Sequence, residues 1–457
     1  MASNATLPIL PAVEESAISG ADNAYLLACG ALVFIMTPGI GLFYSGLVRG
    51  KHALSLIFVS VISMAVVTIQ FFLLGFSLIF SESGSPAIGN LAHIALVNVA
   101  EKPLPSAATV PAITLFFYQL QFAAVTPAII FGAVADRIRL MPSILFIFLW
   151  TTLVYDFVAY WTWGYRGWLR NLDCLSTTAL DQEPCGIGHI DFAGGGPVHI
   201  ASGFAGLAYA LFLGKRTKRP ISGPANLTMV FLGTALLWFG WLGFNGGSAL
   251  DSSARASMAT AVTIIASGFG AMAWMFFDYV FTRKISGIGL CMGAIAGLVT
   301  ITPAAGFVAP WAGAVIGTIS GVVVNQFARL KEKLGFDDTL DAFGIHGVAG
   351  VLGNILTGVF HQGWVSGLSG GGPGTGGVIE GNWVSLGYQI IGTSVSAIYV
   401  FAMSYAILFV IDLIPGMSLR GGGDKDNDVD LQEIGQMKTG DLYTLTAEGS
   451  ISTGGNA

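Results

Sequence analysis

Ionisable side chains are scarce in this chain of 457 residues: Asp, Glu, Lys and Arg together make up 10%. Soluble domains carry about 25%, so the shortage excludes an ordinary water-exposed surface. Lysine, arginine and histidine are missing altogether before Arg49. That excludes the basic start of a cleaved signal peptide and leaves an uncleaved, exported N-terminal tail. Cysteine occurs four times. Cys29 and Cys291 fall in apolar runs and read as small hydrophobes. Cys174 and Cys185 share one polar loop, where they would close a short disulfide if the loop faces outside; two free thiols are the alternative. A net charge of −6 says little about partners, because the acidic excess sits in the two tails; no nucleic-acid partner is expected.

What the chain has in abundance is apolar length. Apolar runs lie at about 24–47, 54–80, 111–135, 142–163, 191–213, 224–246, 257–282, 286–303, 309–328, 342–360 and 384–414, most near or above the roughly 20 residues that span a bilayer. The expectation is an all-α polytopic membrane protein with eleven transmembrane helices and termini on opposite sides. Basic residues assign the sides. Arg49 and Lys51, Arg137 and Arg139, Lys215 to Arg219, Arg283 and Lys284, and Arg329, Lys331 and Lys333 occupy every second connection, with Arg420 after the last run. The N-terminus is therefore expected outside and the C-terminus in the cytoplasm. Three regions follow: an extracellular tail 1–23, a membrane domain 24–420 and a cytoplasmic tail 421–457. Asn4 opens a glycosylation sequon on the exported tail. Ser450, Ser452 and Thr453 offer hydroxyls to a kinase. Glycine, 62 residues, suits helices in close contact; Gly289, Gly293 and Gly297, and Gly313, Gly317 and Gly321, recur at the spacing that lets backbones approach.

Two histidines stand apart. His199 lies eight residues beyond Asp191, about 12 Å along a helix at about 1.5 Å per residue, if the fifth span begins at that aspartate. His346 follows Asp341 in the tenth span, entered from the opposite side. An odd span count accommodates a five-plus-five inverted repeat with one helix over, which brings both rings toward the midplane. Imidazole within the membrane is costly and marks a polar pathway. Each neutral ring offers one donor and one acceptor, suited to a small polar permeant. Haem or metal ligation is the rival, but no third deep ligand completes such a site, so no metal and no cofactor is expected. Asp191 and Asp341 precede helices, where a carboxylate caps free amides. Asp278 is expected to pair with Arg283 or Lys284.

Taken together, Pro38-Gly-Ile-Gly-Leu-Phe-Tyr-Ser-Gly46, Asp191-Phe-Ala-Gly-Gly-Gly-Pro-Val-His199, Gly240-Trp-Leu-Gly-Phe244-Asn-Gly-Gly-Ser248 and Asp341-Ala-Phe-Gly-Ile-His346-Gly resemble the Amt/Mep/Rh ammonium transporter family, its fungal Mep-type members in particular. The resemblance implies a non-enzymatic homotrimer in the plasma membrane with one ammonium pore per subunit. It implies an outer recruitment site of Trp163, Phe122, Ser248 and Tyr118, a gate of Phe122 and Phe244, and a pore lined by His199 and His346. Aromatic faces attract a desolvated cation by roughly 2 kcal/mol, which makes that site chemically sensible. Leu431-Gln-Glu-Ile434-Gly435-Gln436 resembles the family's tail segment, where cytoplasmic regulators would act. A sensor signalling through its tail and a neutral gas channel are the alternative readings.

Overall fold

A computed structural model describes residues 18–173, 188–216, 224–420 and 433–434. Among the described residues, ten helices are long and apolar enough to cross a membrane: Gly20–Leu47 (α1), Gly50–Phe80 (α2), Ala112–Val134 (α3), Leu140–Trp163 (α4), Gly195–Leu213 (α5), Leu227–Ala249 (α6), Ala254–Thr282 (α7), Pro310–Lys331 (α9), Phe343–Phe360 (α10) and Trp383–Asp412 (α11). The shorter apolar helix Gly287–Ile301 (α8) stands between α7 and α9, so the eleven apolar runs correspond to ten long helices and one short. Helices satisfy their own backbone groups, which a lipid interior requires. Among the described residues the only extended pairing is three isolated bridges.

Both glycine stripes press on α7. A Cβ on Gly297 or Gly317 would lie 2.5 or 2.2 Å from the Ala266 carbonyl oxygen. One on Gly293 or Gly321 would lie 2.6 or 2.5 Å from that of Gly270. The helix is thus clamped between α8 and α9 at distances that any side chain would forbid.

Charged residues gather on one face, here termed the basic face. Arg216 pairs with Asp136 at 2.9 Å and with Asp337 at 2.7 Å, and Arg137 donates to the Asp337 carbonyl at 2.6 Å. These bonds stitch together the α3–α4, α5–α6 and α9–α10 connections. Burial opposes the Asp337 carboxylate, but Arg216 and Arg137 outweigh it and hold its pKa down at about 2. Asp278 departs from expectation. It pairs with Arg329 at 2.8 Å and accepts from Asn325, while Arg283 lies over the Tyr279 ring; the α7–α9 packing brings Arg329 closer than the sequence neighbours. Glu433 accepts from Arg139 Nε at 3.3 Å and from the Leu140 amide at 3.1 Å. Asn4, Cys174, Cys185, Ser450, Ser452 and Thr453 lie outside the described residues.

On the opposite face the α2–α3 connection contains Ala95, Leu96 and Asn98 at φ 50, 59 and 62°, a region where residues with side chains are uncomfortable. His93 holds this segment. Its Nδ1 lies 3.2 Å from the Val97 carbonyl and its Nε2 3.3 Å from a Glu82 carboxylate oxygen. Two acceptors facing two ring nitrogens call for the doubly protonated imidazolium. The hydrogen bond to Glu82 raises the His93 pKa, and the same bond lowers that of Glu82. A raised histidine stabilises below its unfolded value and loses the contribution as pH rises through the folded one; the lowered carboxylate does the reverse. The pair is therefore at full strength between the ordinary values of 4.5 and 6.5. Protection of the amides in residues 93–98, taken relative to the unfolded-chain exchange rate at the same pH, is expected to be greatest in that window and to fall above it. His93→Gln is expected to flatten the profile.

Candidate functional site

Burial does not single out a site, because all six histidines are buried. Position along the helices does. The fifth helix begins at Gly195 rather than at Asp191. Residues 191–194 turn back at Gly194, φ 118°, so that the Asp191 carboxylate accepts the amides of Gly194, Gly195 and Gly196 at 2.7, 2.8 and 2.6 Å. His199 is the fifth residue of the helix, about 6 Å beyond its start.

At α10 the expected cap is displaced by one turn. Asp338 accepts the amides of Ala342 and Phe343 at 3.0 and 2.9 Å. Asp341 cannot supply them: its own backbone sits at φ 60°, and its carboxylate is turned to Lys331. Burial raises the Asp338 pKa to about 6, with Asp341 adding to the rise and Lys331 opposing it.

Both helices open with a π turn, Gly195–Ile200 and Phe343–Val348, and each turn carries its histidine. They cross at glycine. A Cβ on Gly203 would lie 2.1 Å from the Gly347 nitrogen, and one on Gly350 would lie 3.1 Å from His199 Cβ. This contact brings His199 Nδ1 within 3.3 Å of His346 Nδ1, with ring centroids 5.4 Å apart. Whichever Nδ1 donates, one ring turns a bare Nε2 outward and the other an Nε2–H. His199 Nε2 has no partner among the described residues.

The pair lines a narrow, mostly apolar cavity with Tyr44, Trp241, Phe244 and Ile345. About 20 Å³ is open to the centre of a water-sized molecule, enough for one. Trp241 stacks on His199 at 5.4 Å and 23°. Sequence reasoning missed Trp241, although it stands three residues before Phe244, nearly one helical turn.

Toward the opposite face the cavity is shut by Phe122 and Phe244, stacked at 4.0 Å and 20°. Trp163 meets Phe122 edge-on at 6.0 Å, and its indole donates to the Asp191 carbonyl at 3.1 Å. Ser248 Oγ lies 3.2 Å from the Tyr118 hydroxyl. Tyr118 itself is fully buried, and its hydroxyl donates to the carbonyls of Gly243 and Phe244. It would reach a permeant only through Ser248. Among the described residues no three His, Cys, Asp or Glu side chains converge to hold a metal ion.

Comparison with known proteins gives a consistent set. The model of the Ammonium Transporter Family matches residues 24–439. Ammonium transporter 1 of Schizosaccharomyces pombe is 46% identical over 402 residues, covering 87% of this chain and 78% of that protein. The crystal structure of Saccharomyces cerevisiae Mep2 superposes with a TM-score of 0.83 at 40% identity, covering 92% of each chain. A solved structure described as a sensor Amt protein reaches a TM-score of 0.76 at 26% identity, covering 88% of this chain and 95% of that one.

The glycine crossing is open to a direct check. Gly203→Ala is expected to cost about 1–3 kcal/mol or more by overpacking, read as a lower unfolding midpoint in detergent. Gly268→Ala, at a position with nothing within 4 Å, is expected to leave the midpoint unchanged or raise it slightly.

Proposed function

Since the chain belongs to the Ammonium Transporter Family, we propose that it takes up ammonium across the plasma membrane through a pore in each protomer of a homotrimer. The start of α1 faces outside and the basic face lies in the cytoplasm, the arrangement favoured by positive charge on the inner side. Ammonium is recruited at Trp163, Phe122 and Ser248, where aromatic rings supply negative π faces and the serine oxygen accepts an N–H. The stacked Phe122 and Phe244 part to admit it. Below them a desolvated cation is opposed by an apolar lining, so ammonium gives up its proton at the gate, the hydrogen-bonded imidazole pair relays that proton inward, and the permeant crosses beside the rings as ammonia, one charge moving with each molecule. The bare Nε2 accepts one of its N–H groups while the Nε2–H of the other ring donates to its lone pair.

The observation that supports this most directly is the 3.3 Å approach of His199 and His346 in a narrow cavity beside the stacked rings of Phe122 and Phe244. Potassium would gain nothing from the Nε2–H and cannot shed a proton at the gate. The same chemistry favours an ammonium pore over a neutral gas channel, for which a cation-attracting mouth is idle.

A second reading, a sensor that signals through its tail, draws on the likeness to the sensor Amt protein. Removing the residues beyond Gly421 separates the two: a transporter keeps ammonium-dependent current, and a sensor loses its signal.

The test is solid-supported-membrane electrophysiology on proteoliposomes. His346→Leu is expected to reduce the ammonium-evoked response by roughly tenfold, the equivalent of about 1.4 kcal/mol for one lost hydrogen bond. An undiminished response in a folded His346→Leu protein would sink the twin-histidine reading, and equal currents for potassium would sink the selectivity argument.

A further inference from the structure

One polar pair takes no part in the pore. Gln70 and Asp156 are both completely buried, sealed between α2 and α4. Each stands at the edge of a π turn: Phe71–Gly75 follows Gln70, and Thr151–Tyr155 precedes Asp156. Such turns recur at functional sites. Here they bring together two side chains that an apolar bilayer interior would otherwise exclude.

The hydrogen bonds are incomplete in an informative way. Gln70 Nε2 donates to Asp156 Oδ2 at 2.7 Å and to Thr152 Oγ1 at 3.1 Å. Both amide hydrogens are thereby used. The remaining oxygens, Gln70 Oε1 and Asp156 Oδ1, find no donor. Both border one spot: a Cβ on Gly75 would lie 2.9 Å from the first and 3.1 Å from the second. Two buried acceptors beside one spot, each unsatisfied, carry a full desolvation cost. A donor must stand between them.

The candidates are a metal or ammonium cation, a water molecule and a proton. Cations need more oxygens than two, and the Phe71 ring, 2.8 Å from the same point, walls off the approach. Water would satisfy the lone pairs but leave a carboxylate charge uncompensated in the membrane interior. Among the described residues Gln70 is the only hydrogen-bond partner of Asp156, and the neighbouring titratable group is the Tyr155 phenol. A proton alone satisfies both oxygens and removes the charge.

We propose that Asp156 is a proton-binding site: a carboxylic acid whose Oδ1–H donates to Gln70 Oε1 while Gln70 Nε2–H donates to Oδ2, closing a cyclic acid–amide pair. This neutral clasp fastens α2 to α4 at the two π turns. It sits seven residues before Trp163 on the helix that presents that indole beside Phe122. Loss of the proton would set a carboxylate against the glutamine carbonyl and push the two turns apart.

The experiment is infrared spectroscopy of the full-length protein in liposomes, compared with Asp156→Asn. At about pH 8, where exposed carboxyls are ionised, the wild type is expected to retain the carbonyl band of a protonated carboxyl. Asp156→Asn is expected to lack it and Gln70→Leu to shift it. The asparagine reproduces both bonds, so Asp156→Asn should unfold at the wild-type temperature and Asp156→Ala at a lower one. The wild-type band at alkaline pH decides the matter even if a variant does not fold. Absence of that band overturns the proposal. So does an unfolding temperature that climbs with ammonium or sodium in the wild type alone, which would make the pair a cation site.

Discussion

Two helix backbones touch at Gly203 and Gly347, and the pairing of His199 with His346 depends on that contact. Imidazole reaches only a few ångströms from its own helix, so two rings on separate helices meet only if the helices nearly collide. Glycine at the crossing permits it, and the π turns above and below re-aim the helices so that the rings arrive edge to edge at 3.3 Å. Trp241 then backs His199 from the third side, holding its ring plane. A pair held this way is pre-organised, with little rotamer freedom left to lose when a small polar molecule arrives.

Both histidine helices start inside the protein, and a buried helix start leaves amides bare. The chain answers with a carboxylate each time, Asp191 at one end and Asp338 at the other. The two solutions differ. Asp191 takes three consecutive glycine amides, which is possible because glycines let the chain fold back tightly over the carboxylate. Asp338 takes two and leaves Asp341 to pair with Lys331. Negative charge is thus placed at the positive end of each helix dipole.

The spans and the paired histidines were legible in the sequence because hydropathy and the rarity of imidazole in an apolar run act over short distances along the chain. The family resemblance added the aromatic residues at the mouth, each of which would pass alone for an ordinary core side chain. What stayed hidden was set by packing between distant segments. The true start of α5 depends on the turn at Gly194, and the choice of Asp338 over Asp341 depends on Lys331, which the last turn of its helix sets against Asp341. Asp278, on α7, found Arg329 on α9 instead of the basic residues that follow it in sequence. The glycine spacings announced close approach but not the partner, which is α7 for both stripes. Tyr118 carried the right motif, yet its hydroxyl is consumed by backbone carbonyls.

Arg216 has a mechanical consequence. Its guanidinium holds Asp136 and Asp337 together, and Asp337 is bonded through the chain to Asp338, the residue seated under α10. A pull on the α5–α6 connection is therefore transmitted along a short, stiff linkage to the footing of the helix that carries His346. The rim of the basic face and the start of α10 are thus joined by one short run of ion pairs, backbone and hydrogen bonds.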